Sequence, residues 1–295
     1  MRGARWLRSR SRERALLLGY HRIADPSGDV YGLSVSRAHF EEQMAILARL
    51  TRPTRLREMV TSISRSQVRK NTVVVTFDDG YADTLEIGLP ILQRAGIPAT
   101  VFVVAGYLGR EFWWDELARL ISEQPGENGA AFHAAERGAV ATHAAGLQSL
   151  PDADRRRSLA ALAGAAPTTS PVHRAMTVEE LQRLARNDLI EVGAHSVTHA
   201  LLPRLSEAEQ RCELEDSRHM LEAIVSRPVF SFSYPHGAVS PPTAALVRQT
   251  GYTAACCSRP DVITARSDLL MLPRFWVRDW DGDRFERFLR RWLLD

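Results

Sequence analysis

The chain reads as an α/β fold built on parallel strands, and three observations predict it. Short apolar runs of strand character alternate with helical patterns along most of the sequence. Three of those strands end in polar clusters: Asp78-Asp79-Gly80, His195 to His199, and Pro235-His236-Gly237. At 295 residues, 45% apolar and 25% charged, the chain has the length and composition of one large soluble core. A β/α barrel and an open α/β sheet both gather their sites in this way, at the carboxyl ends of the strands.

The elements follow in order. Residues 1–14 carry Arg2, Arg5, Arg8, Arg10, Arg12 and Arg14 and read as a flexible basic arm. Weak contact of this arm with an anionic membrane surface is the alternative to a solvated tail. The apolar run from Ala15 to Leu18 is too short for a signal peptide, and Tyr20-His21-Arg22 interrupts it, so 15–20 reads as the first strand. Ser36 caps a helix in which Phe40, Met44 and Leu47 recur at helical spacing. The run Val73-Val74-Val75-Thr76-Phe77 is a short buried strand, and Gly80 supplies the turn that ends it. A helix then runs to about Ala95, with Gly96 just past its end, and 98–104 is the next strand.

Residues 111–175 read as a helical insertion, rich in Ala, Gly and Ser from 124 onward. Its histidines, His133, His143 and His173, have no partner spacing and are expected at the surface. Trp113 and Trp114 open it, either as stacking faces for a sugar ring or as packing between insertion and barrel. Thr177 with Glu180 and Ser206 with Glu209 are capping boxes, the second opening a helix to about Val225. Strands are expected at 190–194, 229–234 and 252–255, and Ser240-Pro241 opens a helix that Gly251 closes. Trp276 and Trp280 carry the same two readings as Trp113 and Trp114, and packing is the expected one.

The polar strand ends carry the chemistry. Adjacent carboxylates at the end of a buried strand are costly unless something pairs with them or binds between them. DDG alone is also ordinary turn chemistry. His195 and His199 are four apart, a spacing that aims two imidazoles at one point on a helical turn or in a tight loop. Alone they are equally two unrelated histidines. Two histidines with one aspartate make the three-ligand count of a catalytic zinc site.

Taken together, Thr76-Phe77-Asp78-Asp79-Gly80, His195-Ser196-Val197-Thr198-His199 and Ser233-Tyr234-Pro235-His236-Gly237 resemble the motifs of the polysaccharide deacetylases, the NodB-homology family of carbohydrate esterases. The resemblance extends to Leu18-Gly19-Tyr20-His21-Arg22-Ile23, to the stretch from Phe112 to Leu117 and to Leu272-Pro273-Arg274, and covers roughly residues 16–280. It implies a distorted (β/α) barrel over 15–295 with a helical insertion. It also implies a divalent metal, zinc above others, on Asp79, His195 and His199, with Asp78 as the general base. The backbone N–H of His236 would meet the oxyanion. The family's arginine two residues before the motif proline is replaced by Ser233, so the arginine that orients the base is expected to be missing. No histidine follows His236, and the resemblance to permuted relatives puts the catalytic acid at His21, with His236 as a substitute.

The activity this implies is removal of N-acetyl groups from an amino-sugar glycan or glycolipid. Hydrolysis of a small non-sugar amide, or a carbohydrate-binding domain without turnover, are the alternatives. A net charge of +3 implies no nucleic-acid partner, and no apolar run is long enough to span a membrane. Cys212, Cys256 and Cys257 form no disulfide framework; with no signal peptide recognised, the cytoplasm is the expected location.

Overall fold

The computed structural model describes residues 13–25, 29–122, 134–148, 150–163 and 173–295. The expected basic arm, up to residue 12, and His133 lie outside the described residues. The elements are β1 (Ala15–Tyr20), β2 (Arg22–Ile23), β3 (Ser34–Val35), α1 (Arg37–Leu50), β4 (Arg52–Pro53), α2 (Leu56–Ser64), β5 (Thr72–Phe77), α3 (Leu89–Ala95) and β6 (Ala99–Val103). Helices α4 (Trp113–Ser122), α5 (Ala134–Gln148) and α6 (Asp152–Ala163) follow, then α7 (Val178–Ala185), β7 (Ile190–Ala194) and α8 (Glu207–Val225). The chain finishes with β8 (Ser231–Ser233), α9 (Pro241–Gln249), β9 (Ala254–Cys256), β10 (Phe275–Trp276) and α10 (Gly282–Leu289).

The main sheet runs β10-β1-β5-β6-β7-β8-β9, with β4 added beside β5, and its pairs are parallel. One segment joins its two edges. Leu272 bridges to Cys256 of β9, and Phe275 pairs with Leu18 of β1. The sheet is therefore curled into the expected distorted barrel. Alternation along each strand sorts its side chains between two layers. Leu16, Leu18, Tyr20, Val73, Val75 and Phe77 belong to the outer core against the helices. Ala15, Leu17, Val74, Phe102, Cys256 and Leu272 fill the interior, with Leu56, Met59 and Ile63 of α2 packed on them. Each such buried side chain contributes about 1.5–3 kcal/mol relative to exposure.

Local signals hold where the chemistry is local. Ser36, Thr177 and Ser206 cap α1, α7 and α8, the last two as complete capping boxes. Gly96 closes α3 in the left-handed region at φ 65°. Cys256 and Cys257 are buried, as expected. The strand expected at 229–234 is shorter, Ser231–Ser233. The insertion builds its own satellite core from Tyr107, Phe112, Trp113, Trp114, Leu117, Val140, Leu147 and Leu159. Trp280 packs against Phe288, as its expected packing role requires.

Asp83, after the β5 turn, accepts a hydrogen bond from the Ile23 backbone N–H at 3.2 Å. Burial pushes its carboxyl up to about 7, against a weaker downward pull from that N–H and from Arg22. The folded state thus binds a proton that the unfolded chain, titrating near 3.9, has released. The stability Asp83 contributes is full below about pH 4 and is lost as pH rises through 7, at a slope of up to about 1.4 kcal/mol per pH unit. Asp115, pushed up to about 6 by burial, acts in the same sense. Urea unfolding of Asp83→Asn between pH 4 and 7 should show a shallower decline than the parent; an unchanged slope would assign the proton elsewhere.

Candidate metal centre and acid–base site

Strand alternation delivers the first carboxylate. On β5, Val74 and Thr76 face the barrel interior, and Asp78, just past the strand end, continues that row. Arg274 meets it there. Its Nη1 donates to Asp78 Oδ1 at 2.7 Å and its Nη2 to Asp78 Oδ2 at 2.7 Å, a two-pronged pair. Ser233 Oγ donates to Asp78 Oδ2 at 2.9 Å and accepts from Arg274 Nη2 at 2.9 Å. Arg274 also donates to Thr76 Oγ1 at 3.1 Å. Burial alone would raise the Asp78 carboxyl, but Arg274 and then His195 pull it down to about 2, so it is ionised at neutral pH.

The expectation that the base lacks its arginine is therefore corrected. Ser233 does occupy the motif position, but the guanidinium arrives from Arg274 on the segment that closes the barrel. It is fully buried, and Gly19 makes room for that segment, since a Cβ there would stand 2.6 Å from the Trp276 ring and 3.2 Å from Arg274 Cδ. A lone arginine inside the apolar run from Leu269 to Trp276 was the available signal. Its partner lies 196 residues away, beyond the reach of local pattern.

Asp79 turns the other way. It lies in the left-handed region at φ 71°, with Gly80 following at φ 84°, so Asp79 reaches His195 Nε2 from a different direction than Asp78, at 3.5 Å against 3.6 Å. Asp79 Oδ1 is buried with no hydrogen-bond partner. Its carboxyl is held well above the usual range by burial and then by Asp78.

The two histidines come from a tight loop, not a helix. Ser196 at φ 64° and His199 at φ 55° bend it. Glu213 of α8 holds it, accepting from the Val197 and Thr198 N–H groups at 2.8 and 3.0 Å and from Thr198 Oγ1 at 2.6 Å. Strained backbone of this kind gathers at functional sites. His195 Nδ1 lies 2.7 Å from the Ser233 carbonyl, which only accepts, so Nδ1 carries the proton and Nε2 keeps its lone pair. That Nε2 is 3.5 Å from Asp79 Oδ1, and His199 Nε2 is 3.6 Å from the same oxygen. Burial lowers both imidazoles, His199 strongly, which keeps them neutral as ligands must be.

This set fits a metal ion. One carboxylate oxygen and two imidazole nitrogens lie within 4.8 Å of one another on three buried residues. Ligands held about 2.1 Å from a tetrahedral ion stand roughly 3.4 Å apart, and the two histidine–aspartate separations of 3.5 and 3.6 Å match that spacing. A cation here would also satisfy the orphaned Asp79 oxygen. The carbonyl behind His195 is the outer partner that fixes a ligand's tautomer and orientation.

His21, His236, Asp78 and the three-residue cluster line one cavity of about 400 Å³. The His21 ring stacks on Trp276 at 4.3 Å. Burial pushes its imidazole down to about 3, only partly countered by Asp78, so it is neutral at pH 7. His236 sits at the exposed rim, in the left-handed region at φ 59°, with its ring 4.4 Å from that of His199. His143 is exposed and His173 half-buried, and neither lines this cavity.

Trp113 and Trp114 are buried, as packing between insertion and barrel requires, and they also line the cavity. Trp114 stands 4.7 Å from the His199 ring. A buried chain behind it fixes its angle: Trp114 Nε1 donates to Tyr81 Oη at 2.8 Å, Tyr81 to Asp115 at 2.6 Å, and Arg22 to Asp115 at 2.8 Å. Trp276, for which packing was the favoured of two readings, lines the cavity, because β10 ends beside β1.

Comparison with known proteins agrees with this geometry. The family model described as polysaccharide deacetylase matches residues 65–255. The chain is 21% identical over 301 residues to the poly-beta-1,6-N-acetyl-D-glucosamine N-deacetylase of Staphylococcus aureus, covering 94% of this chain and 82% of that protein. Among solved structures it is similar to the Streptococcus pyogenes deacetylase PplD in complex with acetate, with a TM-score of 0.66 at 17% identity, covering 94% of this chain and 98% of that one. It is also similar to IcaB from Ammonifex degensii, with a TM-score of 0.65 at 19% identity, covering 94% and 95%. At these identities the structural likeness speaks for the fold. No helix among the described residues is long and apolar enough to cross a membrane.

Proposed function

Because the chain belongs to the polysaccharide deacetylase family, we propose that it is a metal-dependent hydrolase that removes N-acetyl groups from an amino-sugar glycan or glycolipid. The observation that carries this reading is the pairing of a three-ligand cluster with an ionised, clamped carboxylate beside it. Asp79, His195 and His199 would hold the ion, and zinc is our choice because two imidazoles and a carboxylate with one open position suit it. When bound, such an ion lowers the pKa of water to about 7 and polarises the acetamide carbonyl.

The chain's own groups then do the rest. Asp78, ionised and fixed by Arg274 and Ser233, accepts the proton of the attacking water. The backbone N–H of His236 would meet the oxyanion, as the family resemblance implies; losing one such donor costs about 2.7–4 kcal/mol of transition-state stabilisation. His21 protonates the leaving nitrogen. Being neutral at rest, it donates only after taking up a proton, and it shares the cavity with Asp78, whose captured proton it relays. His236 is the substitute for this role. The aromatic wall of Trp113 and Trp114 excludes water from the reacting group.

The test is metal content by mass spectrometry, beside acetate release from N-acetylated glycans, in the parent and in His199→Ala. We expect about one ion per chain in the parent, with ion and turnover both lost in the variant. Protein that refuses added zinc, cobalt, nickel and iron would overturn the hydrolase reading and favour a sugar-binding domain.

A further inference from the structure

Resting on the deacetylase reading, with His21 as its acid, we propose that Trp276 is the positioning residue of that acid: its indole face sets the plane of the His21 ring, the part that a hydrogen-bonding partner plays for His195. An acid that must deliver its proton to one atom needs its ring held in place. His195 has such a hold in the Ser233 carbonyl, 2.7 Å from its Nδ1. Among the described residues, no hydrogen bond holds the ring of His21. Its ring partner is Trp276, with centres 4.3 Å apart and planes 25° from parallel, a stacked pair. A stack of this kind fixes the plane of the imidazole and occupies neither nitrogen, so one can take up the proton that the other or the same atom then passes on.

Strand alternation builds the stack. On β1, Ala15 and Leu17 belong to the barrel interior, and Gly19 and His21 continue that row. On the closing segment Phe275 belongs to the outer core, so Arg274 and Trp276 take the inner side. Gly19 pairs with Trp276 in parallel register, and the Val277 N–H donates to the Gly19 carbonyl at 3.0 Å. Glycine leaves a gap in the inner row and the indole fills it: a Cβ at 19 would stand 2.6 Å from both Trp276 Cε3 and Cζ3. The indole therefore lies against β1 beside His21, two residues further on. Its place is also set by Arg274, whose guanidinium carbon is 4.3 Å from the indole centre. The arginine that clamps the base thus backs the tryptophan that supports the acid, and one segment of chain holds both.

The role shows in the leaving group. When the tetrahedral intermediate of an acetamide collapses, the C–N bond breaks and its electron pair goes to nitrogen, which must receive a proton from His21 as it leaves. When the intermediate of an aryl acetate collapses, the C–O electron pair goes to a phenolate oxygen, which leaves without a proton. Support of the acid therefore matters for the amide and little for the ester.

The experiment uses zinc-loaded full-length protein with a β-1,6-linked N-acetylglucosamine pentamer and with 4-nitrophenyl acetate. We expect Trp276→Leu to lower kcat for the pentamer about 10²-fold, the effect of a misplaced reacting group, with KM little changed. The ratio of amide to ester turnover should fall by about the same factor. Trp276→Phe, which keeps a flat face, should recover most of the loss. His21→Ala with Trp276→Leu should be no slower than His21→Ala alone, because the tryptophan acts only through the histidine. In the parent, the NMR signals of the His21 ring protons, identified by their loss in His21→Ala, should lie upfield, shifted by the indole; this reading needs no tryptophan variant to fold. Unshifted signals, a raised KM with kcat kept (a sugar-stacking face), or an equal fall in amide and ester turnover overturns the proposal and leaves the deacetylase reading intact. An amide-to-ester ratio unchanged in His21→Ala removes His21 as the acid and the proposal with it. Parent protein that releases acetate from neither probe overturns both readings.

Discussion

Asp78→Asn is expected to abolish acetate release, by a factor of at least about 10²–10⁴, the range a positioned general base contributes, while bound metal stays at the parent level. Asparagine keeps the shape, and its one oxygen can accept from Arg274 Nη2 and Ser233 while its NH2 faces Arg274 Nη1, but it cannot take a proton. The clean signature is the split between the readouts. Asp78 is not one of the three clustered ligands, so mass spectrometry should still find the ion. Loss of metal together with turnover would make Asp78 a ligand and remove it as the base. Equal acetate release from both proteins would overturn the assignment outright.

Arg274→Met is expected to produce the largest loss of stability of any single change near the site. The guanidinium is fully buried and supplies two of the hydrogen bonds to Asp78. Removing one partner of such a pair leaves the other uncompensated, at a cost of about 3–5 kcal/mol. The pH dependence has a definite sign. The Asp78 carboxyl is depressed to about 2 in the folded protein, so the stability it contributes is fully present above about pH 3.9 and is lost as pH falls through 2. Urea unfolding should therefore show the deficit of Arg274→Met largest at neutral pH and above, shrinking as pH falls, first as the variant's unpaired Asp78 takes up its proton and then as the parent's does below pH 4. Turnover should also fall, because burial then drives the base toward its protonated form. The double variant Asp78→Asn with Arg274→Met should cost less than the sum of the two, since the second change removes a charge already stranded by the first. Strict additivity would mean that the pair does not act as a unit.

Much of the site was legible before any coordinates. Spacing pairs His195 with His199, the strand end offers an aspartate, the family resemblance picks Asp79 over Asp78, and the three residues do converge. The helix starts at Ser36, Thr177 and Ser206 followed from capping chemistry that acts over three residues, and the caps form as read. His21 was placed by resemblance, and it shares the cavity with the cluster. What was misread was long-range. Ser233 looked like a lost arginine because the motif was followed along the chain, whereas the guanidinium comes from a segment that reaches Asp78 only when the sheet curls. For Trp276 the chain left packing and a sugar-facing role both open, because nothing in its neighbourhood announces that β10 ends beside β1.

The sequence by itself determined the parallel α/β class, the order of most strands and helices, and which residue types meet at the strand ends. Those follow from period, capping and turn chemistry, interactions that span a few residues. Only the tertiary structure decided that Asp78 is clamped and Asp79 open, because a left-handed turn at Asp79 and a barrel closure through Arg274 give one carboxylate a buried ion pair and leave an oxygen of the other without a hydrogen-bond partner. Their chemistry is identical in the chain; what distinguishes them is which charge the fold brings to each.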